Sequence, residues 1–590
     1  MKHVVLASLT LLLTALLGCS SAVSVDLGNP STPPPPIALE AMDPSDPLTA
    51  YADPTREQAE SPDFWLSVAH AADKAIFEEL TIGVSDRTTR LLAIQHYALA
   101  RWLELKHDRL VTASGFTAKE SQAESQDNYI VRIMPGDPVA GVLDPARFDR
   151  LIPAETVDVR GMQQRFARVG VGLSLVGVID TTKQTLSDTP NLPPEGLFLP
   201  VTLTVDFARR PGGQTKARIT LLDPDRVRSV RKFGVPFQLS ADTTAPIAML
   251  YAETELQREA NTGLWNPTHT EARTGIYLHE PFAADKTPVL FIHGLWSSPL
   301  TWRDMLNTLR ADPVLARHYQ FWMFLYPTGM PIPRSSAFLR SDLAKLRAHY
   351  EADLNPESSV ATQDMLVIGH SMGGLLTKTL IQGGGDTIWH AFHPEPFAEI
   401  EAPSTVKQRL AEAFFYEPDA RASRAVFIAT PHRGSDLADA WFTVLSRSQI
   451  EPPAVLAEVD AWIDNERQRL RKSDPPYDPE HHQILRGLPN SLENLSPRSP
   501  YLAAYNRIPI PPAVTYHSII AEQRDLANPT SDGVVPFKSA RLEGAATERI
   551  VRSGHGAVTN AQAIAEVRRI LHEHLEQRGL SPETDVLRQP

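Results

Sequence analysis

The second half of the chain alternates between two hydrophobic patterns. "TPVLFIHG" (287–294) and "QFWMFLYP" (320–327) are short, continuous apolar runs, suited to strands buried on both faces of a parallel sheet. "SSAFLRSDLAKLRAHYEADL" repeats its apolar positions at helical spacing, "DMLVIGH" reads as a strand, and "MGGLLTKTLIQ" as a helix. "RAVFIATP", "AVTYHSIIAE" and "TERIVRSG" continue the series of strands, and "AVTNAQAIAEVRRILHEHLEQ" closes it as a helix. Such alternation predicts an α/β domain over residues 281–580, a mostly parallel sheet flanked by helices.

The first half is patterned differently. "SPDFWLSVAHAADKAIFEEL" opens with a cap-like Ser-Pro and sets an apolar face through Phe64, Val68, Ala71 and Ala75. A second helical run, "TTRLLAIQHYALARWLEL", follows. Between about 127 and 255 the period shifts towards two. In "LFLPVTLTVDF" Leu199, Val201, Leu203, Val205 and Phe207 point one way, and Thr202, Thr204 and Asp206 the other, as in a half-buried antiparallel strand. "RVGVGLSLVGVI", "ARITLL" and "PIAMLYA" read as further strands. Residues 61–280 are therefore expected to form an α+β accessory domain, and they contain no catalytic constellation. Gly170 and Gly172 lack the third glycine of a dinucleotide loop. Residues 19–60, with "GNPSTPPPPIALEAMDPSDP", are too rich in Pro, Ser and Asp to bury a core and read as a semi-extended tether.

A length of 590 residues fits this multidomain reading. The net charge is −13 and the basic residues form no stripe, which excludes nucleic acid as a partner. The single cysteine excludes a disulfide framework. It stands at a telling place. Lys2 and the apolar "VVLASLTLLLTALLG" have the form of a signal peptide and end in Leu16-Leu17-Gly18-Cys19, which resembles the lipobox of bacterial lipoproteins. That resemblance implies removal of residues 1–18, a lipid on Cys19 and a membrane-anchored protein of the bacterial cell envelope. Ser20 and Ser21 follow in place of an inner-membrane-retaining Asp, which points to the outer membrane.

The chemistry centres on Gly369-His370-Ser371-Met372-Gly373. A G-x-S-x-G between a strand and a helix places its serine on a sharp turn above the sheet, where the hydroxyl can act as a nucleophile. Such a serine needs a base. Of the nineteen histidines, His555 in "RIVRSGHGAVTN" lies in a glycine-flanked loop after the last strand. His572 and His574 on the closing helix, and His481 and His482 in a polar stretch, read as solvated. His370 should point away from the nucleophile. The acid that orients the base must come from the loop before it, where Glu522, Asp525 and Asp532 all qualify by position. Asp532 is favoured because "SDGVVPFKSA" presents it on a turn beside an apolar segment. Oxyanion donors would be the amide of Met372 and, from the turn "FIHGLWSS", that of Leu295.

"VLFIHGLWSSP", "VIGHSMGG", "FIATPHRGSDLA", "SDGVVP" and "SGHG", in this order over about 290–575, together resemble the α/β-hydrolase superfamily. Within it the similarity is to bacterial lipases and esterases and to GPI-inositol deacylase-like hydrolases. The resemblance implies an α/β-hydrolase fold, a Ser371–His555–Asp532 triad, and cleavage of acyl, lipid-like esters without a cofactor. His432 in "ATPHRGS" is then structural or site-shaping. Calcium-dependent bacterial lipases carry an Asp two residues after the histidine; here Ala557 stands there, so no calcium is expected at that place. Residues 435–512 exceed what a minimal hydrolase needs and read as a helical cap, with Trp441, Phe442 and Trp462 as acyl-facing groups and Trp296 beside the oxyanion turn. No HExxH, CxxC or paired-carboxylate pattern suggests a metal. An acyltransferase with the same triad, or a binding lipoprotein with a vestigial hydrolase domain, are the alternative readings.

Overall fold

The computed structural model describes residues 23–27, 47–80, 85–111, 124–126, 129–137, 140–181, 190–209, 214–254, 271–352, 354, 359–437, 457–473, 477, 481–486, 490–526 and 529–580. The chain divides into two compact units. One comprises Ala22–Asp188 and Pro193–Glu253, the other Thr189–Leu192 and the described residues from Thr254 on.

In the first unit the helices Pro62–Leu80 and Asp86–Val111 pack on each other. The buried stripe of the first helix runs through Trp65, Val68, Ala69, Ala72 and Ile76; of the face expected through Phe64, Val68, Ala71 and Ala75, Val68 is buried and the other three are half-buried. A seven-stranded, mostly antiparallel sheet has the long strand Leu197–Arg209 between Leu173–Ile179 and Thr215–Leu222. From Leu197 to Val205 that strand is buried on both faces, not one. Its threonines are satisfied inside: the Thr202 hydroxyl donates to the Ser240 carbonyl (2.6 Å) and that of Thr204 to Thr220 (3.3 Å). "PIAMLYA" is not a strand but part of a buried helix, Thr244–Glu253. Its start is fixed by the Asp242 carboxylate, which accepts the amides of Thr244 (3.0 Å) and Ala245 (2.8 Å). A helix apolar all round carries no amphipathic signal, so a short apolar run leaves strand and helix indistinguishable. The stretch expected to be a tether is folded in part. Ser24–Leu27 pairs antiparallel with Val157–Arg160, and Val23, Leu48 and Tyr51 are buried.

The second unit is built on strands β1 (Gly275–Leu278), β2 (Thr287–Ile292), β3 (Tyr319–Leu325), β4 (Met365–His370), β5 (Ala422–Ile428), β6 (Thr515–Glu522) and β7 (Thr547–Arg552). Their spatial order is β1-β3-β2-β4-β5-β6-β7, with β1 antiparallel to β3 and the rest parallel. Every residue of β2, β3 and β4 is buried, which is why they read as unbroken apolar runs. The edge strand β7 instead exposes Glu548, Arg549 and Arg552, charges that discourage further pairing. Helix α1 (Ile332–Tyr350) and the wholly buried α2 (Met372–Ile381) belong to this unit. So do α3 (Ala457–Leu470), in the region read as the cap, and the closing helix α4 (Ala561–Gln577).

The histidines of α4 are not solvated as expected. His574 is buried and reaches the Tyr319 hydroxyl (2.7 Å) and the Asp364 carboxylate (2.8 Å), and His572 reaches Asp312 (2.8 Å). Both bond partners come from segments hundreds of residues away, which helix periodicity does not reveal.

Candidate active site

Ser371 occupies the single residue between β4 and α2, with φ 53° and ψ −125°, a conformation that a non-glycine residue adopts only under constraint. The constraint is packing. A Cβ on Gly373 would stand 2.2 Å from the Ile292 carbonyl oxygen and 2.5 Å from that of His293, both backbone atoms that give way only if their turn shifts with them. One on Gly294 would stand 2.9 Å from Cβ of Ser371, so the turn after β2 passes directly beside the serine. The two flanking segments therefore meet at Ser371 only because these positions lack side chains.

His555 follows β7 and Asp532 follows β6, so both arrive at the carboxyl ends of the strands, where parallel α/β sheets place their ligands. His555 Nε2 lies 2.8 Å from Ser371 Oγ, and its Nδ1 lies 2.7 Å from Asp532 Oδ2. Asp532 Oδ1 accepts the amides of Val534 (2.8 Å) and Val535 (2.7 Å). Burial pushes the Asp532 carboxyl up, but the His555 charge and hydrogen bond and these two amides outweigh it and hold the group below the usual carboxylate range. All three residues are buried. A hydroxyl bonded to an imidazole that is in turn bonded to a carboxylate can pass its proton to the ring as the oxygen attacks an electrophile.

The other positional candidates are used otherwise. Asp525 is exposed. Glu522 is fully buried, and its carboxylate is taken up by four backbone amides. His370 Nε2 donates to the carbonyl of His555 (2.9 Å), so the ring behind the nucleophile braces the loop of the base. Burial, then the neighbouring His555, draws its pKa down to about 3, so this bracing ring is neutral. His432 is buried with no partner among the described residues for either ring nitrogen, and burial, then Lys378 and Arg433, keep it neutral. Its carbonyl accepts from Asn506 Nδ2 (2.6 Å), which ties down the segment next to Pro431.

Ser371 and His555 open into an apolar pocket with Leu295, Trp296, Leu437, Leu492, Leu495 and Val535 on its walls. Leu295 comes from the turn after β2, while Met372 starts α2, so its amide is one of the first-turn donors with no carbonyl partner inside the helix. Trp296 has φ 54° and donates its amide to Thr328 Oγ1 (3.2 Å).

Residues 289–569 match the alpha/beta hydrolase family. The second unit has the fold class expected for it, a mostly parallel sheet flanked by helices. Among solved structures, a lipase of Bacillus licheniformis in mature form aligns at 15% identity and a TM-score of 0.29, over 50% of this chain and 97% of that one. A butyrate-bound esterase from the Planctomycetes species Thermogutta terrifontis aligns at 15% identity and a TM-score of 0.28, over 52% and 90%. A metagenomic carboxyl esterase aligns at 15% identity and a TM-score of 0.27, over 50% and 77%. No curated protein matches the chain.

Within the second unit, Trp462 is not among the residues lining this pocket. It is buried in the core, donates Nε1 to the Glu401 carbonyl (2.9 Å) and stacks on His393. Trp441, Phe442 and Cys19 lie outside the described residues. Ala557 is buried, in a turn two residues after His555. The fold does gather three possible metal donors that no sequence motif announced: His393, Glu395 and Glu466, whose donor atoms all lie within 4.8 Å of one another. They already form a closed network. The Glu395 amide donates to His393 Nδ1 (3.1 Å), so Nε2 keeps its proton for Glu466 (3.1 Å), and Arg469 bridges both carboxylates.

Proposed function

We propose that this protein is a serine hydrolase that cleaves carboxylic esters with apolar, lipid-like acyl groups, anchored to the bacterial envelope through a lipid on Cys19. The observation that carries the catalytic reading is the chain of contacts from Ser371 Oγ to His555 Nε2 and from His555 Nδ1 to Asp532, at 2.8 and 2.7 Å. Ser371 attacks the ester carbonyl as His555 takes its proton, and Asp532 holds the ring and stabilises the imidazolium. The amides of Leu295 and Met372 receive the oxyanion, a contribution typically worth about 10²–10³ in rate per donor. His555 then protonates the departing alcohol, and water, activated by the same ring, releases the acid. The aliphatic walls of the pocket support an apolar acyl group.

Labelling with a fluorophosphonate probe, read beside turnover of p-nitrophenyl esters of graded chain length, tests the reading. Folded protein should label and turn over, and Ser371→Ala should do neither. An unlabelled wild-type protein would sink the proposal. Adding an alcohol acceptor and analysing products separates hydrolysis from acyl transfer.

A further inference from the structure

Glu522 is the last residue of β6 and has no exposed surface. Its Oε1 accepts the amides of Arg524 (2.8 Å) and Asp525 (3.2 Å), and its Oε2 those of Thr530 (2.5 Å) and Ser531 (3.0 Å). These four amides stand at the two ends of one loop, and Ser531 immediately precedes Asp532. The Gln523 amide closes the same loop by donating to the Ser531 carbonyl (3.2 Å). On its other side, the Glu522 carbonyl accepts the amide of Ser553 (3.0 Å), two residues before His555. One residue is thus bonded to the roots of both the Asp532 loop and the His555 loop.

A buried carboxylate is an expensive way to close a turn. Burial does push the Glu522 carboxyl up, but the four amides outweigh it and hold the group below its ordinary value. Only an ionised carboxylate has acceptors for all four donors. A glutamine would turn its NH₂ towards one pair of amides and leave that pair unmatched. The placement explains the expense. Asp532 Oδ2 must meet His555 Nδ1 along one line, and small displacements of either loop spoil that alignment.

We propose that Glu522 is a positioning residue that holds the Asp532 loop and the His555 loop in register, and so sets the Asp532–His555 hydrogen bond. The proposal rests on the reading of Asp532 as the residue that orients His555.

A double-mutant cycle on the full chain tests it, with Glu522→Gln and Asp532→Asn alone and combined. Glu522→Gln should lower kcat by about 10²-fold, the cost of roughly 1 Å of misplacement, with KM nearly unchanged. In the Asp532→Asn background the same change should alter kcat by less than about threefold, because the carboxylate contact it serves has already been replaced by one that holds the wrong tautomer. The far-downfield proton signal of the His555–Asp532 bond should vanish in Glu522→Gln while the melting temperature persists. Equal losses in both backgrounds, or an unchanged kcat in Glu522→Gln, would overturn the proposal alone. A fully active Asp532→Asn enzyme would overturn the Asp532 reading and this proposal with it. If Glu522→Gln does not fold, Glu522→Asp, whose shorter carboxylate reaches only one pair of amides, takes its place in the cycle. Failure of both to fold would make Glu522 a structural residue and refute the assignment.

Discussion

Replacing Asp532 by asparagine changes one atom, and the surroundings dictate how the new side chain must sit. Oδ1 accepts two amides, from Val534 and Val535, so the asparagine oxygen has to stay there. The opposite orientation would set an NH₂ against two N–H groups and cost two buried hydrogen bonds, about 1–3 kcal/mol each. The amide NH₂ therefore takes the place of Oδ2, 2.7 Å from His555 Nδ1. A donor at that position requires an unprotonated Nδ1, which moves the ring proton to Nε2, facing Ser371 Oγ at 2.8 Å. A ring in that tautomer cannot accept the serine proton. The expected loss is about 10⁴ in kcat, equivalent to about 5.5 kcal/mol of transition-state stabilisation. Shape and volume are conserved, so the melting temperature should hardly move. Steady-state hydrolysis of a p-nitrophenyl ester, with melting followed in parallel, measures both. A folded variant that keeps more than about a tenth of the wild-type kcat would refute the tautomer argument.

Gly373→Ala should fold but lose about 10²-fold in kcat, because its Cβ must push the Ile292 and His293 carbonyls, and with them the Leu295 turn, away from Ser371; wild-type turnover in this variant would contradict the packing. Lys378 is buried, donates to Asn506 Oδ1 (2.9 Å), and burial draws its pKa from 10.5 down to about 7. The folded state thus holds fewer protons than the unfolded chain between those values, so this group's penalty is complete below pH 7 and fades as pH rises towards 10.5. Lys378→Met should accordingly raise the melting temperature at pH 6 by the equivalent of a few kcal/mol, with the gain gone by about pH 10; a pH-independent difference over that series would exclude the linkage. Cys19→Ala should move the protein from the membrane to the soluble fraction of cells, and a variant that still sediments with membranes would refute lipid anchoring.

What could be read from the sequence was whatever is decided locally. β2, β3 and β4 are buried on both faces, and their apolar runs say so directly. The turn at Ser371 is built by residues adjacent in the chain, and Asp532 and His555 follow from strand order. The four-residue edge strand β1 is too short to carry a pattern. The second face of Leu197–Arg209 is covered by chain near Ser240, so threonines that alternate like solvent-facing residues are buried. Glu522 was legible only as a carboxylate in the right region, because its role is set by the backbone amides of a loop that folds back on it. His574 and Trp462 were misplaced for the same reason: their partners, Asp364 and Glu401, are distant in sequence.

The short strand at Ser24–Leu27 sets the length of any leash. With a lipid on Cys19, only four residues separate the anchor from a strand already locked to Val157–Arg160, a reach of at most about 18 Å. The Pro-rich stretch that looks like a spacer comes after that strand and cannot lengthen the leash. The first unit would then be held close to the headgroups, whatever the length of the Pro-rich stretch.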